Sequence, residues 1–128
     1  MVFGIDEELI GLLQSIEDIV DNKTITYKAY RQGSIPQDQT YPNTFFTFWL
    51  NNEIEHSAYD NDTSNVTYDY DVYIYSTDID KCLDLLDRAR RKLKDNGWII
   101  IVRSFDAFSD EITHVGTGMQ VCYLKQFE

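Results

Sequence analysis

The chain has 128 residues, with 11 lysines and arginines against 22 aspartates and glutamates and a formal net charge of −11. That length suits one domain able to bury a core without disulfides or metals, and its mixed charge and scarce proline argue against wholesale disorder. So acidic a surface repels phosphate backbones, which sets aside specific nucleic-acid binding.

The N-terminus is acidic by Asp6 and lacks the apolar stretch of a secretory signal, and no apolar run approaches the ~20 residues that span a bilayer. A protein made in a reducing cytoplasm, with no membrane contact, is expected.

Leu9, Leu12, Leu13, Ile16, Ile19 and Val20 recur at helical spacing and predict a helix over Asp6–Val20, with Glu7, Glu8, Glu17 and Asp18 on its far side. Ile25, Tyr27 and Ala29 alternate with polar residues, so 24–31 reads as a strand. Gly33 to Pro42 is a polar loop, long enough to be functional. Asn43 to Glu53 is a second strand with aromatics on both faces: Phe46, Phe48 and Leu50 on one, Phe45 and Trp49 on the other. The run Asp60-Asn61-Asp62-Thr63-Ser64-Asn65 is turn chemistry. Val66 to Tyr75 then alternates cleanly as a third strand.

A second helix starts after Ser76-Thr77-Asp78, with Thr77 as the expected N-cap and Ile79, Leu83, Leu86 and Leu93 as its apolar stripe. Asp84–Arg88 and Asp87–Arg91 are spaced as i,i+4 ion pairs, and Asn96-Gly97 supplies the stop. Trp98 to Val102 is short and β-branched, a fourth strand. A polar loop over Ser109–Gly118 and a closing strand over Met119–Leu124 complete the order α-β-β-β-α-β-β. That order implies one α+β domain over 1–128, a single antiparallel sheet with both helices on one face.

Little here points to chemistry. Asp106, Asp110, Glu111 and His114 gather carboxylates and an imidazole that could bind a metal or move a proton, but spacing alone aims them at no common point. They read as a solvated or partner-contact loop. Asp60-x-Asp62-x-Ser64 opens like a calcium loop but has Asn65 where glycine is required and Asp71 where a bidentate glutamate is required. No phosphate loop, nucleophile elbow or Cys–His pair occurs, so no enzyme activity, cofactor or metal is expected. Cys82 and Cys122 read as two buried free thiols, with one disulfide as the alternative. The aromatic surplus is harder to place. Phe45, Trp49, Tyr73 and Tyr75 project away from the expected helices, and a large apolar patch on that face would mark a self-assembly interface.

The second half of the chain resembles the tail terminator (tail completion) proteins of long-tailed bacteriophages. The likeness rests on the helix ending at Gly97, the Trp98-led strand, the loop Asp110-Glu111-Ile112-Thr113-His114-Val115-Gly116 and the last strand. Tyr70-Asp71-Val72-Tyr73-Ile74-Tyr75-Ser76 and Tyr41-Pro42-x-x-Phe45-Phe46-Thr47-Phe48 extend it, while Gln37–Thr40 and the acidic balance depart from it. The resemblance implies a virion structural protein that forms a ring, a hexamer, capping the tail tube at the head–tail junction. Its implied partners are itself, the major tail tube protein and a head completion or connector protein, with DNA passing through the lumen. Another head–tail connector or minor tail or capsid protein is the alternative, and a small-ligand-binding α+β domain the third. Because identical acidic subunits repel, added salt is expected to favour the ring.

Overall fold

The computed structural model describes residues 2–31, 42–57, 64–107, 109 and 113–127. Across them run α1 (Val2–Gln14), β1 (Glu17–Val20), β2 (Lys23–Thr26), β3 (Lys28–Arg31), β4 (Thr44–Ser57), β5 (Ser64–Ser76), α2 (Ile79–Asp95), β6 (Ile99–Ala107) and β7 (Val115–Phe127). The expected α+β content with two helices is present. The single antiparallel sheet is not: β1 and β2 form a two-stranded sheet of their own, and five strands form a mixed sheet in the order β3-β4-β5-β7-β6.

Both departures trace to the first third of the chain. The first helix stops at Gln14 rather than Val20, and the residues expected in its last turns form β1 instead. Asp21 and Asn22 have φ of 53° and 63°, between the paired residues Val20 and Lys23. Two consecutive left-handed residues make the two-residue turn whose twist matches an antiparallel hairpin, and Asp and Asn are among the few residues that tolerate it. The hairpin therefore wins over helix continuation, and Ile19 and Val20 are left in solvent at 77% and 50% exposure. Tyr27 then interrupts the expected strand, and β3 pairs parallel to β4, Lys28 against Phe45 through Arg31 against Phe48. A parallel pair needs a crossover of about a dozen residues, which the segment 32–43 supplies in length. Most of the predicted polar loop over 33–42 lies outside the described residues, as do Asp60, Asn61, Asp62 and Thr63.

Ladder pairing fixes which residues share a face, because directly opposed residues point the same way. Phe46, Ile74 and Thr117 share one line across the sheet, Phe48, Val72 and Met119 the next, and Leu50, Tyr70 and Val121 a third. Onto this face pack Ile5, Leu9 and Leu13 from α1 and Cys82, Leu85, Leu86, Ala89 and Leu93 from α2, forming the core. The helices thus cover one face, as expected. The stripe of α2 is rotated from the expected one: Ile79 and Leu83 are half exposed, at 49% and 51%. At 100° per residue, positions 82, 85, 86, 89 and 93 fall within one narrow arc, while 79 and 83 lie on its flank. Small Cys82 and Ala89, not the large side chains, mark its centre.

Helix boundaries follow local chemistry. Asp78, not Thr77, is the N-cap, its side chain accepting from the Asp80 amide at 3.0 Å. Gly97, with φ 89°, follows the C-cap Asn96 as expected. Both predicted ion pairs form, Asp84–Arg88 at 3.3 Å and Asp87–Arg91. Among the described residues, no helix is long and apolar enough to cross a membrane.

Cys82 and Cys122 are both free and buried. Cys82 lies in the core beneath α2, whereas Cys122, opposite Asp69, points from the other face. The sheet separates them, so the disulfide alternative falls. Burial pushes both thiols up to about 11, with the nearby Asp69 adding to the effect at Cys122.

Candidate functional site

The face that the helices leave uncovered carries the predicted aromatics. Phe45 opposes Tyr75, and Trp49 opposes Asp71, which places all four of Phe45, Trp49, Tyr73 and Tyr75 on this outer face. Their rings form a connected series: Phe45 stacks on Tyr75 at 5.5 Å between centroids, Tyr75 on Tyr73 at 6.3 Å, and Tyr73 meets Trp49 edge-on at 6.2 Å. Tyr30 from β3 continues it at one end, 6.3 Å from Phe45, and Phe105 from β6 at the other, 5.8 Å from Tyr73. Sequence reasoning singled out neither: Tyr30 stands near the end of the expected strand over 24–31, where alternation alone does not show its partner, and Phe105 falls beyond the expected strand Trp98–Val102.

The surface differs from a bare aromatic patch. Phe45 is buried at 5% exposure, Tyr73 and Tyr75 are half-buried, and only Trp49, at 44%, is substantially exposed. Two glycines on β7 make the burial possible. A Cβ on Gly116 would lie 2.6 Å from Tyr75 Cε1, and one on Gly118 would lie 2.5 Å from Phe105 Cε1 and 3.0 Å from Tyr73 Cδ1. The rings lie flat on the glycine backbone and shield each other. Gly118→Val should displace Phe105 and Tyr73 and lower stability by about 1–3 kcal/mol, the usual range for overpacking, measurable by chemical denaturation. An unchanged midpoint would show that the rings are not seated on this strand.

Trp49 is aimed rather than loose. Its Nε1 donates to Asp71 Oδ2 at 2.7 Å, and Asp71 also accepts from Gln120 Nε2 at 3.3 Å and Asn51 Nδ2 at 3.4 Å. The indole is thus fixed at the rim of the aromatic face, where the β3 pairing of β4 has ended at Phe48. Such a pre-ordered large ring loses little conformational freedom on contact, which suits an anchor.

The second predicted group does not assemble as a unit. Asp110 and Glu111 lie outside the described residues. Asp106 is part of β6, exposed and opposite Thr117 on the helix side of the sheet. His114 sits on the outer side, 5.9 Å from the Phe45 ring. Its Nε2 donates to the Pro42 carbonyl at 2.8 Å and its Nδ1 lies 3.0 Å from Thr113 Oγ1. With both ring nitrogens engaged, His114 pins the start of β7 to the entrance of β4. Among the described residues, no group of three or more His, Cys, Asp or Glu is gathered as a metal site.

A feature the sequence did not single out lies on the helix side. Between α2 and β6 runs an open groove of about 650 Å³, lined by Asp87, Arg90, Arg91, Lys94, Arg103 and the segment Trp98–Ile101. Arg90 donates to Asp87 at 3.0 Å and to the Arg103 carbonyl at 3.3 Å, bridging helix and strand. Four bases face one acid in a chain otherwise strongly acidic.

Compared with known proteins, the chain matches no protein-family model, and no curated protein is significantly similar to it.

Proposed function

We propose that this chain is a non-enzymatic virion structural protein that closes into a ring, a hexamer, at the end of a phage tail tube, stops tube growth and joins tail to head. The observation that carries this reading is Trp49: a large ring, 44% exposed and held by Asp71, on the uncovered sheet face of a short, strongly acidic chain. Supporting it is the sequence likeness to tail terminators. The mechanism is binding chemistry. Apolar burial at the sheet joins subunits, exposed loops match the tube's last ring, and an electronegative lumen lets DNA pass without sticking.

Light scattering over a range of protein concentrations is the test. Wild-type protein should associate into closed rings, and Trp49→Lys should abolish them while leaving the fold intact by circular dichroism, because the indole lies at the rim of the outer face and outside the core. Capture of a tail tube protein, rather than a portal-side connector, separates the terminator from other connector roles. A strict monomer at high concentration and at every ionic strength, with or without a tube protein, would overturn the ring.

A further inference from the structure

The β6 edge of the main sheet is both open and basic. β6 pairs with β7 on one side and, among the described residues, with no strand on the other. Along it lie Ile99, Ile101 and Val102, exposed at 53%, 48% and 38%. The α2–β6 groove follows this edge rather than one face of the sheet. Its lining includes Ile99, on the outer-face line of Cys122, and Ile100, on the helix-side line of Val121.

Charge in the groove is one-sided. Arg90 and Arg91 share its single acid, Asp87. Lys94 and Arg103 are exposed and form no ion pair among the described residues. A base in the last turn of a helix offsets the helix dipole, which accounts for Lys94. It does not account for Arg103, which comes from the strand. Removing the groove's four bases and one acid from the chain leaves seven bases against twenty-one acids. An anionic partner is therefore drawn to this groove and repelled by the rest of the surface.

The strand edge decides which anion. A phosphate backbone would use the bases alone and would run on over an acidic surface. An extended peptide uses the whole feature: its backbone pairs with the open edge, and its side chains alternate between the two sides. Carboxylates on the helix side meet Lys94 and Arg103, while apolar side chains on the outer side extend the row of Ile99 and Val102. Register shifts between Ile100 and Val102 and between Val102 and Phe105 break this edge into short stretches. Such bulges blunt pairing between whole sheets, so a short linear segment fits better than the edge of a second folded copy.

We infer that the α2–β6 groove takes a short, extended segment of a partner protein in which acidic and apolar residues alternate, laid along β6 with its carboxylates on Lys94 and Arg103. The inference is independent of the ring reading, which rests on Trp49 of β4, beyond β7 and β5 in the sheet order.

Fluorescence anisotropy tests it with a short labelled peptide of alternating glutamate and valine, capped at both ends. Wild-type protein should bind it at low salt and more weakly as salt rises. K94E/R103E should weaken binding by at least about tenfold, the scale of losing a hydrogen bond between charged groups. K94R/R103K, which keeps both charges, should retain it. Both positions lie outside the core, and circular dichroism confirms that the variants fold. Peptides with lysine in place of glutamate, or with a central proline that cannot donate to the edge, should bind far more weakly. Equal binding by wild type and K94E/R103E, equal binding of the lysine or proline peptide, or no binding of the glutamate peptide at low salt overturns the inference. So does a DNA oligonucleotide that binds wild type more tightly than the peptide and loses binding in K94E/R103E, which would assign the groove to phosphate.

Discussion

Leu86→Ala should lower the free energy of unfolding by about 2–5 kcal/mol, while Leu83→Ala, three residues earlier on the same helix, should change it by less than about 0.5 kcal/mol. Leu86 is 3% exposed and belongs to the core cluster, whereas Leu83 is 51% exposed. The same three carbons beyond Cβ are thus removed from a packed interior in one case and from a half-exposed flank in the other. The first loses transfer free energy and leaves a cavity; the second loses little of either. Denaturant titration of both variants measures the difference directly. Equal costs would mean that α2 is rotated by about one residue and docks on the stripe Ile79–Leu83–Leu86.

That contrast shows where the sequence was legible and where it was not. Elements with strong local chemistry were found: the alternation of β5, the ion pairs of α2 and the Asn96-Gly97 stop. Errors arose where two residues decide between structures. Asp21-Asn22 turn a helical pattern into a hairpin, because a left-handed pair satisfies the strand twist whatever the periodicity of Ile16, Ile19 and Val20. Likewise, hydrophobic size misplaced the α2 stripe, since Cys82 and Ala89 sit nearest the sheet.

The candidate surface was half legible. Alternation placed Phe45, Trp49, Tyr73 and Tyr75 on the outer face, and the register agrees. Their burial could not be read, because it depends on Gly116 and Gly118 lying opposite Tyr75 and Tyr73, pairings across about forty residues of chain. The basic groove was hidden for a related reason. Arg90 and Lys94 looked like ordinary solvated helix residues until β6 brought Arg103 beside them.

Asp18→Ala should cost about 1.5–3 kcal/mol, the range for hydrogen bonds to a charged group, and should loosen the β1–β2 hairpin most. One carboxylate holds this hairpin to α2. Asp18 accepts from Lys81, from Tyr27 and, at 2.8 Å, from Arg88 Nη1, while Arg88 Nη2 donates to the Glu17 carbonyl at 2.6 Å. The Lys81 hydrogen bond, then that of Tyr27, with Arg88 adding, hold the Asp18 carboxyl well below its ordinary 3.8 despite partial burial. Because the folded value lies below the unfolded one, this stabilisation is complete at neutral pH and above about 4. It is lost as pH falls below 3.8 toward the folded value, when protons bind the unfolded chain first. Wild-type protein should therefore lose stability in that acid window faster than Asp18→Asn, whose curve should be flatter there. Amide exchange adds a local reading: Val20 and Ile25, in the hydrogen-bonded pairs of the hairpin, should exchange faster in the variant, while Val72 and Met119 in the core stay protected. If acid unfolding and hairpin exchange were both unchanged, the cluster would contribute nothing and the hairpin would be held by β3 and Tyr27 packing alone.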